Sequence, residues 1–87
     1  MSYTLVYSKQ AHKDAKKHKG SSLIPKIRRL LRLIAEDPFQ SPPELEKLVG
    51  EYKGYFARRI NVHHRIVYTV FQKEKIVKIV RLWTHYE

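Results

Sequence analysis

Leu23, Ile24, Ile27, Leu30, Leu31 and Ile34 recur at spacings of three and four residues. Apolar positions with that period form one stripe along a helix. Pro25 falls in the first turn, where its missing N–H breaks no intrahelical bond, and Ser21 or Ser22 can cap the start. Pro38 pushes Asp37 out of the α region, so the helix stops there. The stretch from Lys9 to about Lys19 is nearly all polar, with Ala11 and Ala15 as its apolar stripe. Ser8 can cap that segment and Gly20 can supply a left-handed residue at its end, which predicts a short surface helix. His12 and His18, set among lysines, are expected on its solvated side.

Elsewhere the pattern is that of strands. Tyr3–Tyr7, Tyr55–Ile60, Arg65–Phe71 and Ile76–Trp83 are β-branched and aromatic runs. The polar connectors Asn61–His64 and Gln72–Lys75 join the last three as hairpins. From Pro38 to Lys53, three prolines, Gly50 and three acidic residues read as loop. The expected fold is α+β: an N-terminal strand, two helices, then a three-stranded antiparallel meander, with the helices on one face of the sheet. No internal repeat interrupts residues 1–87, which read as one domain.

Composition narrows the classes of function. The 87 residues carry 18 Lys+Arg against 8 Asp+Glu, a formal charge of +10. Such an excess points to a polyanionic partner. The charge is blocked: residues 9–32 and 53–87 are basic, and residues 36–51 are acidic. Cysteine is absent, which excludes a disulfide scaffold, thiolate metal sites and thiol catalysis together. A chain this short buries only roughly 60–65% of its unfolded surface, so the core is thin and a partner adds stability. No apolar run approaches the roughly 18 residues of a membrane span, and the N-terminus lacks the pattern of a secretory signal. A cytoplasmic protein without a membrane partner is expected. The five histidines lack zinc-ligand spacing, and neither metal nor cofactor is expected.

Alternation along β-strands puts Arg65, Val67 and Thr69 on one face and Ile66, Tyr68 and Val70 on the other. If the last strand stays regular, Arg81, Trp83 and His85 also share a side. A basic face holding Arg58, Arg59 and Arg65, interleaved with aromatic rings, suits single-stranded nucleic acid, since cations meet phosphate and rings stack on bases.

Ordered blocks then carry a specific resemblance. They are Pro38-Phe39, Pro42-Pro43-Glu44-Leu45-Glu46-Lys47-Leu48, Gly54-Tyr55-Phe56-Ala57-Arg58-Arg59-Ile60-Asn61, His64-Arg65-Ile66-Val67-Tyr68 and Trp83-Thr84-His85-Tyr86. Over essentially its whole length the chain resembles the Txe/YoeB family of type II toxins, within the RelE/ParE superfamily. The resemblance implies a RelE-like microbial ribonuclease fold and a ribosome-dependent mRNA endoribonuclease held inactive by an acidic antitoxin of the YefM/Phd-like type. Its other implied partners are the 70S ribosome and the mRNA in the ribosomal A site; it leaves oligomeric state open, a homodimer included.

Carried over residue by residue, the family's active site falls on Glu46, Arg65, His85 and Tyr86, with Arg59 as a supporting cation and Arg58 beside it. Some members use a lysine soon after the Glu; here Lys47 follows immediately, and the chain extends past His85-Tyr86 by Glu87. The chemistry is self-consistent. RNA supplies its own 2′-hydroxyl nucleophile, so cleavage needs a base, an acid and positive charge. Glu46 can accept the hydroxyl proton, Arg65 and Arg59 can stabilise phosphoryl charge, and His85 can protonate the leaving 5′ oxygen. Tyr86 can stack on a base or orient His85. A non-enzymatic DNA gyrase inhibitor of the ParE type is the alternative, because one fold serves both.

Overall fold

A computed structural model describes residues 2–41 and 44–82. Strand β1 (Thr4–Tyr7) leads into helix α1 (Lys9–Lys17) and helix α2 (Ile24–Glu36). A two-residue strand, β2 (Glu46–Lys47), and one 3-10 turn (Gly50–Tyr52) precede β3 (Phe56–Arg59), β4 (Arg65–Phe71) and β5 (Ile76–Arg81). The sheet has the order β1-β5-β4-β3-β2, with β1 parallel to β5 and every other pair antiparallel. The expected α+β architecture and meander are therefore present, enlarged by β2 at one edge. The segment read as loop from Pro38 to Lys53 thus contains that strand and the 3-10 turn.

Both helices cover one face of the sheet. Ala11 from α1 and Ile27, Leu30 and Ile34 from α2 share one core with Ile60, Ile66, Tyr68, Val77, Ile79 and Leu82. The α2 stripe is the one its periodicity predicts. Its first turn differs: Leu23 is the N-cap and makes no side-chain cap bond, while Ser21 Oγ accepts from the Leu23 N–H at 3.0 Å. Pro25 sits in the first turn, and the helix ends at Asp37 in extended conformation ahead of Pro38.

Helix α1 departs further from expectation. Ser8 Oγ caps it by accepting from the Ala11 N–H at 3.0 Å, and Gly20 is left-handed at φ 77°. The helix ends at Lys17, two residues short of the expected limit. Ala15 is exposed, and the buried positions are Ala11, Asp14 and His18. His18 is therefore no solvated histidine: burial of a polar ring is tolerable because Nε2 lies 2.8 Å from the Leu82 carbonyl oxygen.

Among the described residues Arg58 is the largest fully buried side chain. Its Nε donates to the Tyr68 hydroxyl at 3.2 Å, and its Nη2 donates to the carbonyls of Pro38 at 3.2 Å and Gln40 at 2.6 Å. Tyr68 in turn donates to the Pro38 carbonyl at 2.7 Å. Burial is the main cause raising the Tyr68 hydroxyl above the usual tyrosine value, opposed by the Arg58 charge and hydrogen bond, so the phenol stays a proton donor here. Truncation of Arg58 would take the guanidinium donor from the Gln40 carbonyl, leave the Tyr68 hydroxyl and the Pro38 carbonyl with only each other, and open a cavity in the core. Arg58→Ala is expected to destabilise the fold by about 3 kcal/mol or more, measured by urea unfolding.

Candidate active site

The face away from the helices is set by strand register. Glu46 pairs with Ala57, Ala57 with Val67, and Arg59 directly with Arg65. Directly paired residues share a face, so Glu46, Arg59 and Arg65 lie together above the buried Ala57 and Val67. Cross-strand arginines repel one another, and Glu46 answers both. Its Oε2 is 3.5 Å from Arg65 Nη1 and its Oε1 is 3.9 Å from Arg59 Nη2. The three side chains are 31%, 25% and 54% exposed respectively for Glu46, Arg65 and Arg59. They are shielded enough to hold geometry and open enough to meet a substrate. Ion pairs this exposed contribute about 0–1 kcal/mol each to stability.

Three sequence-derived site residues thus assemble. Two others do not. Arg58, expected to bind substrate, pairs with Ile66 on the helix-covered face and is sealed in the core. Period-2 alternation could have separated it from Arg59, since adjacent strand residues point to opposite faces. Its guanidinium instead ties down Pro38 and Gln40, in the segment that leads to Glu46. Lys47 is exposed and alternates to the side opposite Glu46. His85, Tyr86 and the rest of residues 83–87 lie outside the described residues, as do Pro42 and Pro43 of the motif. The regularity assumed for the last strand fails earlier: the β4–β5 register shifts at Val67/Tyr68, and Arg81 Nε engages Asp14 Oδ2 of α1 at 2.8 Å.

The Asn61–His64 connector is a tight turn. Asn61 Oδ1 accepts from the N–H groups of His63 and His64 at 2.9 and 2.8 Å, fixing the hairpin that sets Arg59 against Arg65. Among the described residues no helix is long and apolar enough to cross a membrane.

The chain is a small α+β protein whose fold is shared with solved bacterial toxins, and its own open sheet face carries one carboxylate bridging two cross-strand arginines. The chain belongs to the family described as YoeB-like toxin of bacterial type II toxin-antitoxin system, whose model matches residues 7–86. It is similar to Toxin YoeB of Synechocystis sp., 37% identical over 65 residues, covering 75% of this chain and 73% of the relative. Its fold is similar to that in the heterotetrameric YoeB-YefM toxin-antitoxin complex from Staphylococcus aureus, with TM-score 0.80 and 32% identity over 99% of this chain and 100% of that one. The YoeB dimer of Staphylococcus aureus gives TM-score 0.81 at 32% identity, with the same coverage of both chains.

Proposed function

We propose that this toxin acts as a ribosome-dependent mRNA endoribonuclease that inhibits translation, and that it cuts by attack of the RNA 2′-hydroxyl on the adjacent phosphate. The observation that supports the reading is Glu46 set between Arg65 and Arg59 on an open sheet face. When RNA enters, a phosphate can replace the carboxylate as the arginines' partner, because guanidinium presents the same fork of donors to either anion. Glu46 is then released beside the ribose that the phosphate bears.

Glu46 takes the proton of the 2′-hydroxyl, whose oxygen attacks phosphorus. Arg65, with Arg59 behind it, stabilises the charge building on the non-bridging oxygens. The bond to the 5′ oxygen breaks, and His85 gives that oxygen its proton. The upstream fragment is left with a 2′,3′-cyclic phosphate and the downstream fragment with a 5′-hydroxyl. Tyr86 stacks on a base or orients His85.

The test is to add purified protein to ribosomes that hold a message with an empty A site. Cleavage within the A-site codon is expected. An intact message together with inhibited DNA supercoiling by gyrase would replace this reading with the ParE-type alternative.

The partner follows the same electrostatics. An acidic YefM-like antitoxin segment, able to neutralise the Arg59 and Arg65 face, would silence the toxin; the Staphylococcus aureus YoeB relative is found in a complex with YefM. That relative is also found as a dimer, and we propose the same assembly as one state of this chain. Antitoxin association should slow as salt rises, because steering between opposite charges is screened over about 8 Å at physiological ionic strength. Stopped-flow binding across a salt series checks this; a flat on-rate would contradict it.

A further inference from the structure

Strand β1 ends at Tyr7, opposite Ile79, so β5 runs on beyond its parallel partner. Backbone groups past that point still need hydrogen-bond partners. Helix α1 and its cap supply them with side chains. Ser8 Oγ donates to the Val80 carbonyl at 2.9 Å. Asp14 Oδ2 accepts from the Leu82 N–H at 3.0 Å. His18 Nε2 lies 2.8 Å from the Leu82 carbonyl oxygen, which can only accept, so this ring nitrogen carries a proton.

The two polar residues are costly choices for a thin core. Asp14 is 0% exposed and His18 1%. Apolar residues of similar volume would pack α1 on the sheet at least as well, without desolvating a carboxylate. Yet every polar atom of Asp14 is engaged: Oδ2 with Leu82 N–H and Arg81 Nε, and Oδ1 with Gln10 Nε2 at 3.0 Å. The His18 ring stands edge-on to His64 at a centroid distance of 5.7 Å. Packing of that kind fixes a ring's direction. Both residues thus grip one point, the peptide groups on either side of Leu82. His85 follows three residues later in sequence.

We propose that Asp14 and His18 are positioning residues for cleavage: they fix the point from which the chain leaves β5 toward His85. This rests on the endoribonuclease reading above. A general acid must stand within hydrogen-bond reach of the leaving oxygen, and an error of about 1 Å can cost 10²-fold in rate. A short chain from a loosely held Leu82 would spread His85 over many positions; a clamped one limits them.

The test measures ribosome-dependent cleavage at varied ribosome concentration, separating kcat from KM, for Asp14→Asn, Asp14→Ala, His18→Gln and His18→Ala. The alanine variants should lose about 10–100-fold in kcat with KM within about twofold. His18→Gln, whose amide can still donate to the Leu82 carbonyl, should recover most of that rate. In a His85→Ala background, Asp14→Ala should slow the residual reaction by no more than about twofold, since its effect runs through His85. If Asp14→Ala does not fold, Asp14→Asn and the His18 variants decide the matter. Unchanged kcat in folded His18→Ala, or full additivity with His85→Ala, overturns the proposal. Wild-type protein that leaves the message intact sinks the cleavage reading instead. Amide hydrogen exchange at Leu82 then still judges the clamp: faster exchange in His18→Ala supports it, and unchanged exchange removes it.

Discussion

Glu46→Ala and His85→Ala should each slow message cleavage by about 10²–10⁴-fold, the usual contribution of one general acid or base, while leaving the protein folded and bound by its antitoxin. For Glu46 the structure sharpens the test. Its carboxylate relieves the direct pairing of Arg59 and Arg65, so an entirely structural role is conceivable from geometry alone. Two ion pairs as exposed as these are worth about 0–1 kcal/mol each, far less than the rate loss predicted. Single-turnover cleavage and urea unfolding of the same Glu46→Ala sample separate the two roles. A rate loss no larger than the stability loss explains would leave Glu46 as electrostatic glue. Growth arrest on expression should disappear for both variants, and undiminished cleavage by His85→Ala would remove that histidine from the mechanism.

A larger effect belongs to the substrate. Replacing the single ribose on the 5′ side of the scissile phosphate with deoxyribose should abolish the cut, because the attacking oxygen is gone. Binding should change little, since arginine contacts fall on phosphate and stacking falls on bases. The comparison needs only two messages that differ by one oxygen atom, read on a sequencing gel. Efficient cleavage of the deoxy message would mean that water attacks, and the proton roles of Glu46 and His85 would be wrong.

Legibility in the sequence followed the range of the interactions involved. Helix α2 was readable because its stripe is local, and β4 appears over the expected residues because alternation and both turns flank it. The Ser8 cap was readable for the same reason. Strand β2 was not, since two residues carry no period and exist as a strand only by pairing with Phe56 and Ala57. Nor was the buried face of α1. Hydrophobic periodicity selects Ala15, whereas Asp14 and His18 go inside because partners more than sixty positions away, at Arg81 and Leu82, satisfy them. Arg58 followed the same logic: it is buried by Tyr68 and two carbonyls that no local pattern reveals. The cluster of Glu46, Arg59 and Arg65 was reached through motif blocks, and strand register explains why the three come together.

The chemistry of the new RNA ends tests the central claim most directly. Message cut by purified protein on the ribosome should yield an upstream fragment ending in 2′,3′-cyclic phosphate, or the 3′-phosphate formed from it by hydrolysis. The downstream fragment should begin with a 5′-hydroxyl that polynucleotide kinase labels without prior phosphatase treatment. A 5′-phosphate on that fragment, paired with a 3′-hydroxyl upstream, would contradict attack by the 2′-hydroxyl and the account built on it.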